Sequence, residues 1–197
     1  MDLLSGLGDA AVVAPASAAL VIGLFWLDAK RDSAAFAAAM FACVALALLA
    51  KLAFAACGLM PRFDIQSPSG HSALGAAFYG SLAALLAVGR PVGVRLAFYV
   101  AAACAAVAVA YGRVELQVHS VAEVICGLLI GAVAAALFVA LRGRPRRLSL
   151  TPQMLVRASP IAVLLAIDLA LFTDHWTAEP LIDRFARAIG VALNLCS

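Results

Sequence analysis

The chain has 197 residues, of which 65% are hydrophobic and only 13% are charged, and its formal net charge is +3. Soluble domains have about 45–50% apolar and about 25% charged residues, so this composition excludes a water-soluble globular protein. The same surplus excludes disorder, and so small a net charge does not indicate a nucleic-acid partner. The apolar residues form continuous runs rather than the alternation typical of a transmembrane barrel, which predicts a helical membrane protein.

Six apolar segments follow one another along the chain and predict six transmembrane helices joined by short loops. A helix that crosses a membrane needs about 20 apolar residues at a rise of about 1.5 Å each. The second segment is interrupted by Lys51, and the sixth is short and contains Asp168. The predicted fold is an all-α, six-transmembrane bundle in which residues 1–197 form one integral membrane domain. The segments are residues 10–27, 34–60, 71–89, 92–111, 119–141 and 158–172.

The C-terminal segment, residues 178–195, has a different pattern. Its apolar residues recur on one helical face and its charged residues lie elsewhere, which predicts an amphipathic helix in the membrane interface. A lid over a functional site is the alternative interpretation. The apolar residues are Leu181, Ile182, Phe185, Ile189 and Ala192.

The distribution of basic residues predicts how the spans are oriented. The loops after the first, third and fifth spans contain nine of the 14 lysines and arginines, whereas the opposite side contains four. Basic loops favour the cytoplasmic side of a membrane. We therefore expect both termini, and the loops after the second and fourth spans, on the outer face. The nine residues are Lys30, Arg31, Arg90, Arg95, Arg142, Arg144, Arg146, Arg147 and Arg157.

The loop after the second span contains Pro68-Ser69-Gly70-His71 directly before an apolar segment. Ser69 is expected to be the N-cap of the next helix, whose free backbone amides and positive dipole end suit a phosphate. Gly70 allows an anion to approach the backbone closely, and His71 lies in the first turn. The loop therefore predicts a phosphate site, and a capped helix with an interfacial histidine is the alternative.

The loop after the fourth span contains His119 and Glu123, whose i, i+4 spacing predicts that they pair on one helix face. A carboxylate that accepts one imidazole N–H fixes the tautomer and makes the other nitrogen a better nucleophile or base. Arg113 precedes this pair and suits phosphate oxygens, because its guanidinium binds them in bidentate fashion. A salt-bridged boundary cluster is the alternative. Lys51, expected near the same face, either contributes to this site or extends to the membrane surface.

Two of these loops resemble motifs of the type 2 phosphatidic acid phosphatase (PAP2) superfamily. The Pro68–His71 segment is identical to the second motif of that family. Arg113, His119 and Glu123 match the spacing of the third motif, in which Gly112 stands for the usual serine and Glu123 for the usual aspartate. The resemblance covers residues 51–127.

The first motif of the family, a lysine followed by Arg-Pro, is matched only in part. Lys51 corresponds to its lysine, but no Arg-Pro follows at the usual interval. Arg62 is the candidate for the missing arginine, although Pro61 interrupts the helical path between the two residues.

The resemblance implies a mechanism that uses neither a metal nor an organic cofactor. It implies that His119 attacks the phosphorus to form a phosphohistidine, that Glu123 orients the His119 ring, and that His71 protonates the leaving group and then activates water. Preorganised cations and amides would stabilise the equatorial phosphate oxygens. The residues implied in this binding are Lys51, Arg62, Ser69, Gly70 and Arg113.

The predicted function is that of a lipid phosphate phosphatase in a bacterial inner membrane, with its site on the periplasmic face. Candidate substrates are polyprenyl diphosphate, phosphatidylglycerol phosphate, phosphatidate and a lipid A phosphate. The expected partners are this substrate and the bilayer, without nucleic acid, and the oligomeric state stays open. A lipid phosphotransferase and a non-catalytic scaffold with the same fold are the main alternatives. A zinc site of His71, His119 and Glu123 is a minor one.

Overall fold

A computed structural model of the protein describes residues 8–57 and 67–143, together with the isolated positions Arg184 and Ala188. Within these residues the secondary structure is entirely helical, which confirms the predicted all-α class. Helices follow one another along the chain in an alternating, up-and-down arrangement. They are α1 (Ala10–Trp26), α2 (Lys30–Cys57), α3 (Gly70–Leu86), α4 (Val92–Glu115) and α5 (Val121–Arg142).

Some predicted features lie outside the described residues. These are the sixth span at residues 158–172 with its Asp168, and Arg62, which follows α2 in the sequence. In the predicted amphipathic tail, residues 178–195, only Arg184 and Ala188 are described, and both are helical and exposed. The sixth span and the interfacial helix therefore stay predictions, and so does the total of six spans, because α1 and α3 have only 17 residues each.

Three of the helices, α2, α4 and α5, are long and apolar enough to cross a membrane. Their most apolar stretches have mean hydropathies of 2.3, 2.0 and 2.8, respectively. Large apolar side chains project from the outside of the bundle, a surface that suits lipid tails and not water. This is the arrangement of a membrane protein. Examples of these exposed side chains are Phe41, Leu49, Leu96, Leu129 and Val133.

Of the helix boundaries that differ from the prediction, two differ because charged residues are accommodated inside helices. Helix α2 begins at Lys30 rather than at residue 34, since the Asp32 carboxylate is buried against the guanidinium of Arg142 at 3.0 Å. Helix α4 continues to Glu115 rather than ending at residue 111, and Arg113 therefore lies in its last turn. A positive φ of 56° at Gln117 then turns the chain away from the helix axis.

Helix α3 lies in the centre of the bundle and contacts each of the other four described helices. Its buried positions are occupied mostly by small residues, which let neighbouring backbones approach closely without a large side chain between them. Close approach is what allows a single short helix to touch four others. The small buried residues are Ser72, Ala73, Gly75, Ala77, Ser81, Ala83 and Ala84.

The contact between α3 and α5 depends on two glycines spaced four residues apart, Gly127 and Gly131. A Cβ atom at Gly127 would collide with the carbonyl oxygen of Ser69, and one at Gly131 with the carbonyl oxygen of Ala73. Small residues at this spacing are typical of closely packed transmembrane helices. The N-termini of α3 and α5 are held together by this packing.

We predict that Gly131→Ala destabilises the bundle by about 1–3 kcal/mol, because the rigid α3 backbone must move to admit one methyl group. Gly93→Ala is the matched control, since a Cβ there meets no atom within 4 Å. The control is expected to be neutral, or stabilising by up to about 1 kcal/mol through helix propensity. Thermal unfolding in detergent measures both. Equal unfolding temperatures for Gly131→Ala and the parent protein would contradict the proposed close packing.

Candidate functional site

The N-termini of α3 and α5 lie side by side at one end of the bundle, and both are capped by serines. Ser69 is the N-cap of α3, as the sequence predicts, and its hydroxyl accepts from the Ser72 amide. Ser120 is the N-cap of α5 and accepts from the Glu123 amide at 3.3 Å. Two helix starts therefore point their positive dipole ends at the same region, an arrangement that favours an anion.

The Glu123 carboxylate is the centre of the hydrogen bonds at this end. Its Oε2 accepts from Nδ1 of His119 at 2.8 Å and from the Ser120 amide at 3.1 Å. Its Oε1 accepts from the Ser67 amide at 2.6 Å. Because an ionised carboxylate only accepts, the neutral His119 ring has its proton on Nδ1, and its lone pair is on Nε2.

The main chain of Glu123 also joins the two loops. Its carbonyl oxygen accepts from the Ser69 amide at 3.1 Å, so one residue bonds both to the α3 cap and to the α5 cap. The His119 and Glu123 side chains are 6% and 7% exposed, which shields this bond from water. The predicted pairing of the two is therefore present.

The geometry of that pairing differs from the prediction of a shared helix face. His119 lies before the N-cap Ser120 and is outside the helix, whereas Glu123 is the third residue inside it. The physical reason is the capping box, in which the residue at this third position extends back over the helix start. The glutamate reaches His119 by the same backward extension.

His71 lies in the first turn of α3, as predicted, and is 9% exposed. Its Nε2 is 3.4 Å from Oδ2 of Asp9, the residue just before α1. The chain at Gly8 lies directly against this turn, because a Cβ there would be 3.0 Å from the His71 carbonyl oxygen. Sequence reasoning missed Asp9, since no motif spacing connects residues 62 positions apart.

Two cations are buried on the helices that end where α3 and α5 begin. Lys51 is near the C-terminal end of α2 and is 5% exposed, and Arg113 is in the last turn of α4 and is 8% exposed. Cations inside an apolar bundle are costly and usually indicate a functional site. Arg62, predicted to join them, lies outside the described residues.

This end of the bundle combines groups that suit a phosphate and its chemistry. It has two helix N-termini, two buried cations, and two histidines that each contact a carboxylate. Within residues 8–57 and 67–143, no group of three or more His, Cys, Asp or Glu side chains could hold a metal ion. The described donor set therefore does not support the zinc alternative.

We predict that Glu123→Ala lowers the unfolding free energy by about 2–4 kcal/mol, because it leaves buried amides and an imidazole N–H without an acceptor. Glu115→Ala is the control, since Glu115 is exposed at the end of α4. We expect a change within about 0.5 kcal/mol for the control. Chemical or thermal unfolding in detergent measures both, and equal effects of the two substitutions would contradict the central role of Glu123.

Comparisons with known proteins find a family and a relative for this chain. The family model described as PAP2 superfamily matches residues 51–147. The chain is 35% identical over 196 residues to an uncharacterised 22.5 kDa protein in the cps region of Klebsiella pneumoniae, a match that covers 96% of this chain and 91% of that relative. No solved structure matches the chain significantly. The family match includes the described site residues except Asp9.

Proposed function

The chain belongs to the PAP2 superfamily of phosphatases, and on that premise we propose that it removes a terminal phosphate from a membrane lipid through a phosphohistidine intermediate. The observation that supports this most directly is the bond between His119 and Glu123. At 2.8 Å, the carboxylate orients the imidazole and leaves Nε2 as the nucleophile. The reaction uses this chain's own side chains and water.

In the first step, Nε2 of His119 attacks the phosphorus opposite the ester oxygen. The N–P bond forms as the P–O bond to the lipid breaks, and protonated His71 donates its proton to the departing oxygen. Positive charge develops on the His119 ring as this bond forms. The Glu123 carboxylate, bound to Nδ1, stabilises that charge.

In the second step, water releases the phosphate. His71, now neutral, accepts a proton from the water molecule that attacks the phosphorus, and the N–P bond to His119 breaks. Inorganic phosphate leaves, and both imidazoles return to their initial states. The Asp9 carboxylate, 3.4 Å from the His71 ring, is proposed to orient that ring in both steps.

The phosphate oxygens need positive groups, because transition-state charge is spread over them. The proposed binding groups are Lys51 and Arg113, both buried at this end of the bundle, and the start of α3. The first amides of a helix have no acceptor within the helix, so the Gly70 amide suits an anion, whereas the Ser69 amide donates to the carbonyl oxygen of Glu123. We include Arg62 on the basis of its sequence position alone.

The proposed substrate is a lipid because the site lies at the end of a bundle whose sides are apolar. The described loop between α4 and α5 is short, residues 116–120, so it provides little room for a large headgroup pocket. A terminal phosphate or diphosphate of a polyprenyl lipid, phosphatidylglycerol phosphate, phosphatidate or lipid A fits this limit. The excess of basic residues at the other end favours a periplasmic site in a bacterial inner membrane.

We predict that His119→Ala lowers phosphate release from lipid phosphates by at least about 1,000-fold, since removing a nucleophile removes the covalent route. The measurement is phosphate release by detergent-purified protein from a panel of these lipids, together with trapping of an acid-labile phosphoenzyme. His175→Ala is the matched control, because His175 is the remaining histidine of the chain.

The control is expected to release phosphate at the rate of the parent protein and to form the phosphoenzyme. Release by His119→Ala at the parent rate, or a phosphoenzyme that still forms in that variant, would show that His119 is not the nucleophile. Absence of release from every lipid phosphate by the parent protein would support the scaffold alternative. Transfer of the phosphate to an added acceptor lipid would instead support a phosphotransferase.

We predict that Asp9→Asn lowers kcat about tenfold with little change in KM, because the His71 ring loses its orienting carboxylate while phosphate binding is retained. Asp28→Asn is the control, since the side chain of Asp28 is 87% exposed and lies between α1 and α2. Asp9→Glu should recover part of the activity. Equal kcat values for Asp9→Asn and the parent protein would refute a positioning role.

A further inference from the structure

A second group of cations lies at the opposite end of the bundle, where α5 ends and α4 begins. A cavity of about 300 Å³ opens there and is lined by Arg95, Arg142 and the turn at Gly89. Helix α5 separates it from the candidate active site by 22 residues, a length of about 33 Å at helical rise. The cavity is therefore a separate site.

Arg142 lines this cavity and is buried, with 4% of its surface exposed. Its Nε donates to Oδ1 of Asp32 at 3.0 Å, and its Nη1 donates to the Ala84 carbonyl at 2.8 Å. Its Nη2 has no hydrogen-bond partner among the described residues. A buried guanidinium N–H without an acceptor is costly, so an oxygen ligand in the cavity would stabilise it.

The charge around the cavity favours an anion. Asp32 neutralises one of the nearby cations, and the remaining arginines leave the region positive. Arg95 lines the cavity with an exposed side chain, and the Arg31 guanidinium lies against Gly143, another lining residue. Basic pockets between transmembrane helices typically bind anionic lipid headgroups.

An apolar groove continues from this cavity along the outside of the bundle. It has a volume of about 450 Å³ and lies between α3, α4 and α5. The cavity and the groove share Ala84, Tyr99 and Val139, so a single molecule can occupy both. The groove exists because alanines such as Ala103 and Ala132 line it in place of larger side chains.

From these two features we propose that the protein binds an anionic phospholipid at the end opposite its candidate active site. The phosphodiester accepts hydrogen bonds from Nη2 of Arg142 and from Arg95, and one acyl chain lies along the groove. The charge complementarity and the continuity of cavity and groove select a lipid over a free anion. This site does not depend on the proposed catalytic function.

The test is a titration of full-length His119→Ala protein in a zwitterionic detergent, with the unfolding temperature as the readout. Short-chain phosphatidylglycerol is expected to raise the unfolding temperature by a few degrees, since a ligand that binds only the native state stabilises it. Phosphatidylcholine with the same chains and inorganic phosphate are expected to have little effect. Because the His119→Ala variant lacks the proposed nucleophile, phosphatase activity cannot contribute to the measured unfolding temperature.

Matched variants locate the headgroup and the chain. Arg95→Gln should weaken phosphatidylglycerol binding about tenfold, the effect of losing one charged contact. Arg90→Gln is its control, because Arg90 is an exposed arginine in the loop just before α4, whereas Arg95 lies in α4, and Arg90 does not line the cavity. Ala103→Phe should block the groove, whereas Ala101→Phe, on an exposed position outside it, should not.

These variants avoid Arg142, whose loss would leave the buried Asp32 without its partner and risk misfolding. Three results would overturn the proposal: no shift with phosphatidylglycerol, equal weakening by Arg95→Gln and Arg90→Gln, or stabilisation by inorganic phosphate that Ala103→Phe leaves unchanged. The last of these would identify a free-anion site. Phosphate release by the parent protein is measured separately, so failure of either proposal is distinguishable from failure of the other.

Discussion

The structure at the candidate site depends on one buried carboxylate, that of Glu123. It is bound at once by the His119 ring and by the amides of Ser67 and Ser120, which come from two separate loops. A carboxylate in so apolar a bundle is stable only with this number of donors. The Glu123 carboxylate therefore both caps the start of α5 and orients the His119 ring. The family motif has an aspartate at this position, whereas this chain has a glutamate, which suits a capping box.

Close packing of α3 against α5 brings those donors within reach. Because Gly127 and Gly131 have no side chain, the α3 backbone approaches α5 more closely than any other residue at these positions would allow. Toward the opposite end of the bundle, the rings of Phe36 and Phe138 pack edge-on, with their centroids 6.0 Å apart, and so hold α2 against α5. Small residues near the site and an aromatic pair toward the opposite end of the bundle therefore fix how the helices pack against one another.

The sequence was sufficient for features that depend on local spacing and insufficient for those that depend on distant contacts. Ser69 as an N-cap and the pairing of His119 with Glu123 follow from residues at most four positions apart. Asp9 beside His71 and Asp32 beside Arg142 could not be predicted, because each pair joins helices that only the fold brings together. The Gly127–Gly131 spacing was a usable signal for close helix packing. Arg142, expected as a loop cation, is buried because Asp32 compensates its charge.

The ion pair between Asp32 and Arg142 has a consequence for the modularity of the protein. The segment that matches the family model begins at Lys51 and so contains Arg142 but not Asp32, and His71 but not Asp9. Cutting the chain at that boundary would divide α2 and leave a polar group without its partner at each end of the bundle. We therefore expect the smallest unit that folds alone to be larger than the segment that matches the family model, because α1 and α2 complete both ends of the bundle.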